Sequence, residues 1–143
     1  MKFYEVHETE GFLYFVMELL AGSELYELVG EFGSFDLGTA ARIMRQLLEG
    51  LCHLGERGIV HRDMKPENLV MRYEDCGVEE NEIVICDFGL STLVTERCGE
   101  MILKQCGTPG YIAPEMLDQD EDGEFELTCA ADVFSMGIIF YIL

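Results

Sequence analysis

Two apolar, aromatic-rich runs open the chain at residues 2–7 and 12–18, split by the polar stretch Glu8-Thr9-Glu10-Gly11. This pattern predicts two strands joined by a turn. Gly22-Ser23 interrupts it, and a short helix is expected over residues 24–29. Asp36 has the side chain of a helix cap, and beyond it Ala40, Ile43, Met44, Leu47, Leu48, Leu51 and Leu54 recur on one helical face. Gly58 is expected to stop that helix. Residues 59–68 are polar and contain Pro66, which predicts a loop. Leu69-Val70-Met71 and Ile83-Val84-Ile85-Cys86 read as the two strands of a hairpin, with an acidic turn over residues 73–81. Residues 87–115 are long, glycine-containing and weakly periodic, and a loop of that length in a compact domain is usually functional. Residues 118–126 are strongly acidic, and Thr128 is placed to cap a final apolar helix still running at Leu143.

Composition narrows the class. Of 143 residues, 49% are hydrophobic, enough for the core of one modest domain. No apolar run approaches the roughly 18 residues of a membrane span. Met1-Lys2-Phe3-Tyr4 lacks the basic and apolar regions of a secretory signal, so a cytoplasmic location is expected. The six cysteines form no C-x-x-C pair, which argues for reduced thiols rather than a zinc site. With 28 acidic against 9 basic residues the net charge is −19. That field repels nucleic acid and anionic membrane and attracts cationic peptides, although the same charge also serves solubility. The chain begins and ends within apolar elements, so neither end looks like a natural domain boundary.

The chemistry is concentrated in three motifs. His61-Arg62-Asp63-Met64-Lys65-Pro66-Glu67-Asn68 sets a carboxylate, an amine and an amide on one loop. Phosphoryl transfer needs this set: a carboxylate to orient a hydroxyl, a cation to offset the moving charge, and oxygen ligands for magnesium. Asp87-Phe88-Gly89 adds a second hard oxygen ligand beside a permissive glycine. Magnesium takes few protein ligands together with phosphate oxygens, so Asn68 and Asp87 would suffice. Gly107-Thr108-Pro109-Gly110-Tyr111-Ile112-Ala113-Pro114-Glu115 closes the long loop.

In this order the three motifs resemble the protein kinase superfamily of eukaryotic Ser/Thr type, over essentially the whole chain. The resemblance implies an α+β kinase-like fold, present in part: small-lobe strands over 1–18, a hinge over 19–23, and a mainly helical large lobe over 24–143. It implies ATP and Mg2+ as cofactors and a protein or peptide substrate. Asp63 is similar to the catalytic base, Lys65 to the lysine that meets the γ-phosphate, and Thr108 to the threonine that bonds both. Asn68 and Asp87 match the metal ligands, Arg62 an arginine that pairs with an activation-loop phosphate, and Asp132 the carboxylate that holds the catalytic-loop backbone. Met17 resembles the gatekeeper, with Glu18, Leu19 and Leu20 offering backbone groups to adenine. Leu25, Val70 and Cys86 are expected to line the same slot, although ordinary core packing would also account for Met17, Leu25 and Val70. Phe3, His61 and Phe88 match three stacked regulatory residues. Glu24 matches a position that meets ribose and a substrate arginine, and Glu67 is counted with it among the nucleotide-binding residues and fits the same preference for arginine. Tyr4–Glu10, Asp87–Thr92 and Tyr141-Ile142-Leu143 look most like the calcium/calmodulin-dependent and calcium-dependent kinases. Those relatives prefer an arginine upstream of the target residue, and the resemblance implies a calcium-sensing region elsewhere in the parent chain.

Several features depart from the family pattern. The glycine-rich loop, the strand lysine and its partner glutamate do not occur in these residues, so the chain alone is expected to transfer no phosphate. Glu115 is expected to be a buried carboxylate without its usual arginine, which would weaken the isolated chain. Phe134 stands where a tryptophan is common, with little effect expected. Lys104 occupies a common phosphothreonine site, so no phosphate is expected to be needed there; Ser91, Thr92 and Thr95 remain acceptors. Asp118-x-Asp120-x-Asp122-Gly123 resembles the start of an EF-hand loop, but Cys129 stands where its closing glutamate belongs, which favours a solvated acidic loop. The rival to the enzyme is a non-catalytic, pseudokinase-type binding module, against which the intact His-Arg-Asp and Asp-Phe-Gly argue.

Overall fold

The computed structural model describes residues 1–94, 106–117 and 127–143. Strands β1 (Phe3–Thr9) and β2 (Phe12–Met17) form an antiparallel ribbon that turns at Gly11, whose φ of 96° suits glycine. Both faces of the ribbon are exposed. A short extended segment then leads to helix α1 (Leu25–Phe32), which buries Leu25 and Leu28. The sequence pattern predicts a helix over residues 24–29; the helix continues to Phe32, and Gly33, at φ 76°, closes it.

Helix α2 (Leu37–Gly55) begins where Asp36 predicts. The Asp36 carboxylate accepts the amides of Gly38 and Thr39 at 2.8 and 3.2 Å. The buried face of α2 is Ala40, Ile43, Leu47 and Leu51, with Ile43 and Leu47 each 1% exposed. Burying such a side chain stabilises by about 1.5–3 kcal/mol. This face meets Leu25, Leu28, Met64, Leu69, Met71 and, from α3 (Ala130–Ile142), Met136 and Ile139 in one core. The helix stops at Gly55, short of Gly58. Gly58 instead sits at φ 65° where the chain turns into β3 (Ile59–Val60), and its carbonyl accepts the Val94 amide at 2.6 Å.

Strands β4 (Leu69–Met71) and β5 (Ile83–Ile85) pair as expected. Cys86 lies just past β5, yet its amide prolongs the ladder to the Asn68 carbonyl at 2.8 Å. The 73–81 connection is tied down by one buried side chain, Asn81, which bonds both the amide and the carbonyl of Tyr73. A strand missed by the sequence pattern, β6 (Thr92–Leu93), pairs with β3. Two residues of alternation are too few to stand out. Thr128 does meet the last helix, its hydroxyl accepting the Ala130 amide at 3.2 Å, although Cys129 holds the capping position. Thr95, Lys104 and the acidic 118–126 stretch with its EF-hand-like spacing lie outside the described residues.

Candidate active site

The site is assembled on the loop between β3 and β4. His61 is completely buried. Its Nε2 faces the Cys86 carbonyl at 2.9 Å, which can only accept; the proton therefore sits on Nε2, and Nδ1 accepts the Asp63 amide at 3.3 Å. The Phe88 ring stands edge-on to the imidazole at 4.9 Å. Phe3 is not in this stack: it is 56% exposed and its ring neighbours Phe15. Asp132, buried at the start of α3, accepts the amides of His61 at 2.7 Å and Arg62 at 2.9 Å. These two bonds hold Arg62 at φ 68°, a conformation that costs a branched-out side chain roughly 1–2 kcal/mol. Burial pushes the Asp132 carboxyl above its usual range, outweighing the two amide bonds.

That loop conformation aims Asp63 into a polar knot. Its Oδ1 accepts the Thr108 hydroxyl at 2.7 Å. Its Oδ2 meets Lys65 Nζ at 2.9 Å and Asn68 Nδ2 at 3.1 Å. Lys65 also donates to the Thr108 hydroxyl at 2.9 Å, and Asn68 Nδ2 to the Asp63 carbonyl at 2.8 Å. Burial alone would raise the Asp63 carboxyl; the Thr108 hydroxyl, the Lys65 ammonium and the Asn68 amide together hold it below its ordinary value. Lys65 is raised, first by its bond to Asp63 and, at longer range, by Glu67 and Asp87. Of these carboxylates, Asp63 is the one in contact with the ammonium, at 2.9 Å. Asp87 adopts φ 57°, and its Oδ1 accepts the Gly89 amide at 3.1 Å.

Oxygen donors for a metal follow from this. The amide nitrogen of Asn68 is spent on Asp63, leaving its Oδ1 as the ligating atom, and Asp87 offers a carboxylate. No group of three or more His, Cys, Asp and Glu suited to hold a metal occurs among the described residues. One amide oxygen and one carboxylate fit magnesium, which completes its shell with phosphate and water.

The residues expected to line an adenine slot are placed as follows. Met17 ends β2 and is 45% exposed; Glu18 and Leu20 are half-buried, and Leu19 points to solvent. Val70 bridges Glu24 across the chain, and Cys86 is half-buried, its thiol raised by burial. Leu25 differs from expectation: at 0% exposure it is a core residue and lines no open slot. Glu115 also differs, being exposed in a 3-10 turn, so it carries no burial cost. Glu67 has a buried Oε2 with no hydrogen-bond partner, and Arg62, whose Nε donates to the Leu90 carbonyl at 2.7 Å, has a buried, unpartnered Nη1. The polar residue that sequence reasoning passed over is Arg72, whose guanidinium ties Glu18 to Glu82. Its one visible signal is a lone cation after a strand, facing an acidic segment.

A two-stranded ribbon leads through a short segment into a mainly helical body that carries this knot. The family model for the protein kinase domain matches residues 1–143, and the chain belongs to that family. Among curated relatives, it is 43% identical over its full length to a calcium/calmodulin-dependent protein kinase type 1 of Caenorhabditis briggsae, covering 37% of that protein. Against type 1B of Rattus norvegicus and of Homo sapiens it is 42% identical over 139 residues, 97% of this chain and 37% of each relative. The chain thus spans little more than a third of the length of the relatives it matches.

Proposed function

We propose that residues 1–143 are the phosphoryl-transfer segment of an ATP-dependent protein serine/threonine kinase acting on peptides with basic residues upstream of the target. The observation that carries this reading is the Asp63 carboxylate held at once by Thr108, Lys65 and Asn68. A carboxylate fixed in this way, and kept ionised, orients an incoming hydroxyl and takes its proton as the bond to phosphorus forms. Lys65 stabilises negative charge growing on the transferred group. ATP, when bound with magnesium, supplies the phosphoryl group and the neutralising charge; Asn68 and Asp87 would hold the metal, and Met17, Glu18, Leu20, Val70 and Cys86 the adenine. Glu24 would meet the ribose. Glu67, half-buried on the same loop, would meet a guanidinium of the substrate.

The relatives' names carry calcium and calmodulin dependence, and we extend regulation of that kind, through segments outside residues 1–143, to the whole protein. No described helix is long and apolar enough to cross a membrane, and action inside the cell follows from the proposed nucleotide and substrate. Residues 1–143 alone should transfer no phosphate, since the glycine-rich loop and lysine–glutamate pair are not among them. The test is transfer from radiolabelled ATP to a serine peptide, with and without arginine upstream, by the whole protein and its Asp63→Asn variant. Transfer lost in the variant and favoured by arginine supports the reading; nucleotide binding without transfer supports a binding module instead.

A further inference from the structure

Arg72 lies just beyond β4 and joins two carboxylates from separate parts of the chain. Its Nη1 bonds Glu18 Oε1, and its Nε lies 2.7 Å from Glu82 Oε2. The Glu18 and Arg72 side chains are only 18% and 20% exposed, so this pair is not a loose surface contact. Glu18 Oε2 also accepts the Lys2 amide at 2.8 Å, and the Glu18 amide donates to the Lys2 carbonyl at 2.8 Å. One carboxylate therefore links the start of the β1–β2 ribbon to the β4–β5 hairpin. Past Leu20 the segment is also tied to the hairpin by backbone bonds, among them the Met71 amide to the Ser23 carbonyl at 2.9 Å, so the side-chain latch bears on residues 18–20. The Ala21 amide donates to the Arg72 carbonyl at 3.2 Å and the Gly22 amide to the Met71 carbonyl at 3.1 Å, while Leu19 is 87% exposed. At Gly22 an added Cβ would come within 2.7 Å of Met71 and of the Tyr73 carbonyl, so this end of the segment rests directly on the hairpin backbone.

We propose that Arg72 is a positioning residue for the adenine slot: its guanidinium latches Glu18 to the β4–β5 hairpin and so sets the backbone of residues 18–20 over Val70. This inference rests on the kinase reading above. Arg72 and Glu18 shift in the directions that mutual stabilisation requires: the Lys2 amide first and Arg72 second lower Glu18, and Glu18 foremost raises Arg72. The geometry needs arginine in particular. One planar guanidinium sets its Nη1 on Glu18 while its Nε, buried without an aligned hydrogen-bond partner, lies 2.7 Å from Glu82 Oε2 as an ion-pair contact; the point charge of a lysine ammonium reproduces this spread poorly.

The test uses the whole protein with R72M, R72K, E18R, R72E and the exchanged double variant E18R/R72E. It reads kcat and KM for ATP and amide exchange at residues 18–22. In R72M, KM for ATP should rise roughly three- to tenfold, with a smaller change in kcat and faster exchange at Ala21 and Gly22. R72K should recover part of the loss. The exchanged pair should regain protection that neither E18R nor R72E has. An R72M protein with unchanged KM and unchanged exchange would overturn the latch, as would faster exchange spread evenly over the whole molecule. Should the wild type transfer no phosphate, the kinase reading fails, and exchange at residues 18–22 alone decides the latch.

Discussion

The Thr108 hydroxyl donates to Asp63 Oδ1 at 2.7 Å while accepting from Lys65 Nζ at 2.9 Å, across more than forty residues of chain. One small side chain thus closes a triangle with the carboxylate and the ammonium. Removing it leaves the direct Asp63–Lys65 pair without its third corner, so on the proposed reading the carboxylate is less firmly aimed. Thr108→Val should lower kcat of the whole protein about tenfold, the equivalent of roughly 1.4 kcal/mol for one charge-assisted bond. Thr108→Ser keeps the hydroxyl and should retain most activity. Equal losses in the two variants would show that the methyl group, not the bond, matters.

Asp63→Asn keeps shape and removes the acceptor. Transfer should fall by about 10² to 10⁴ in kcat. The pH dependence has a defined sign. Thr108, Lys65 and Asn68 hold the Asp63 carboxyl below its ordinary value despite burial, so it stays charged through the neutral range. Its stabilisation is present above the unfolded value of about 3.9 and is lost as pH falls through the lower folded value. Acid unfolding of wild type and Asp63→Asn, followed by circular dichroism, should therefore converge only at strongly acid pH.

Asp132 carries the opposite sign. Burial raises it above the unfolded value, against the pull of the His61 and Arg62 amides. The folded state then binds a proton more tightly than the unfolded one, so stability falls as pH rises from about 3.9 through the raised folded value. Asp132→Asn sets an NH2 group against one of two buried amides and should destabilise by about 1–3 kcal/mol. The gap to wild type should narrow as pH rises, read by urea unfolding at several pH values. A gap that widens would show that the charge is net stabilising where it sits.

Much of this was legible in the sequence. Asp36 followed by a spaced apolar face marked α2, because capping and burial act locally and agree. The knot residues were legible because Asp63, Lys65 and Asn68 share one loop. What escaped depends on contacts distant in sequence. Thr92–Leu93 becomes a strand only because Ile59–Val60 lies beside it. Asn81 and Arg72 look like ordinary polar residues until the β4–β5 hairpin brings Tyr73 to one and Glu18 and Glu82 to the other. Leu25 stays open in the sequence for the same reason: its spacing allows a slot or a core, and the packing of α1 onto β4 and the Pro66–Asn68 turn buries it in the core.

Two glycines separate conformational need from mere occupancy. Gly107 has φ 118°, and a Cβ there would lie 2.9 Å from the Arg62 carbonyl, a backbone atom that cannot yield without moving the loop that carries Asp63. Gly30 sits inside α1 with nothing within 4 Å of its added Cβ. Gly107→Ala should destabilise and should also depress transfer, since Thr108 is its neighbour. Gly30→Ala should instead stabilise by about 0.5–1 kcal/mol, because alanine loses less backbone freedom in a helix. Thermal unfolding of both variants, with kcat measured alongside, checks the pair. A stabilised Gly107→Ala would mean that the Arg62 carbonyl is free to shift, and that the left-handed Arg62 conformation does not fix the position of Asp63.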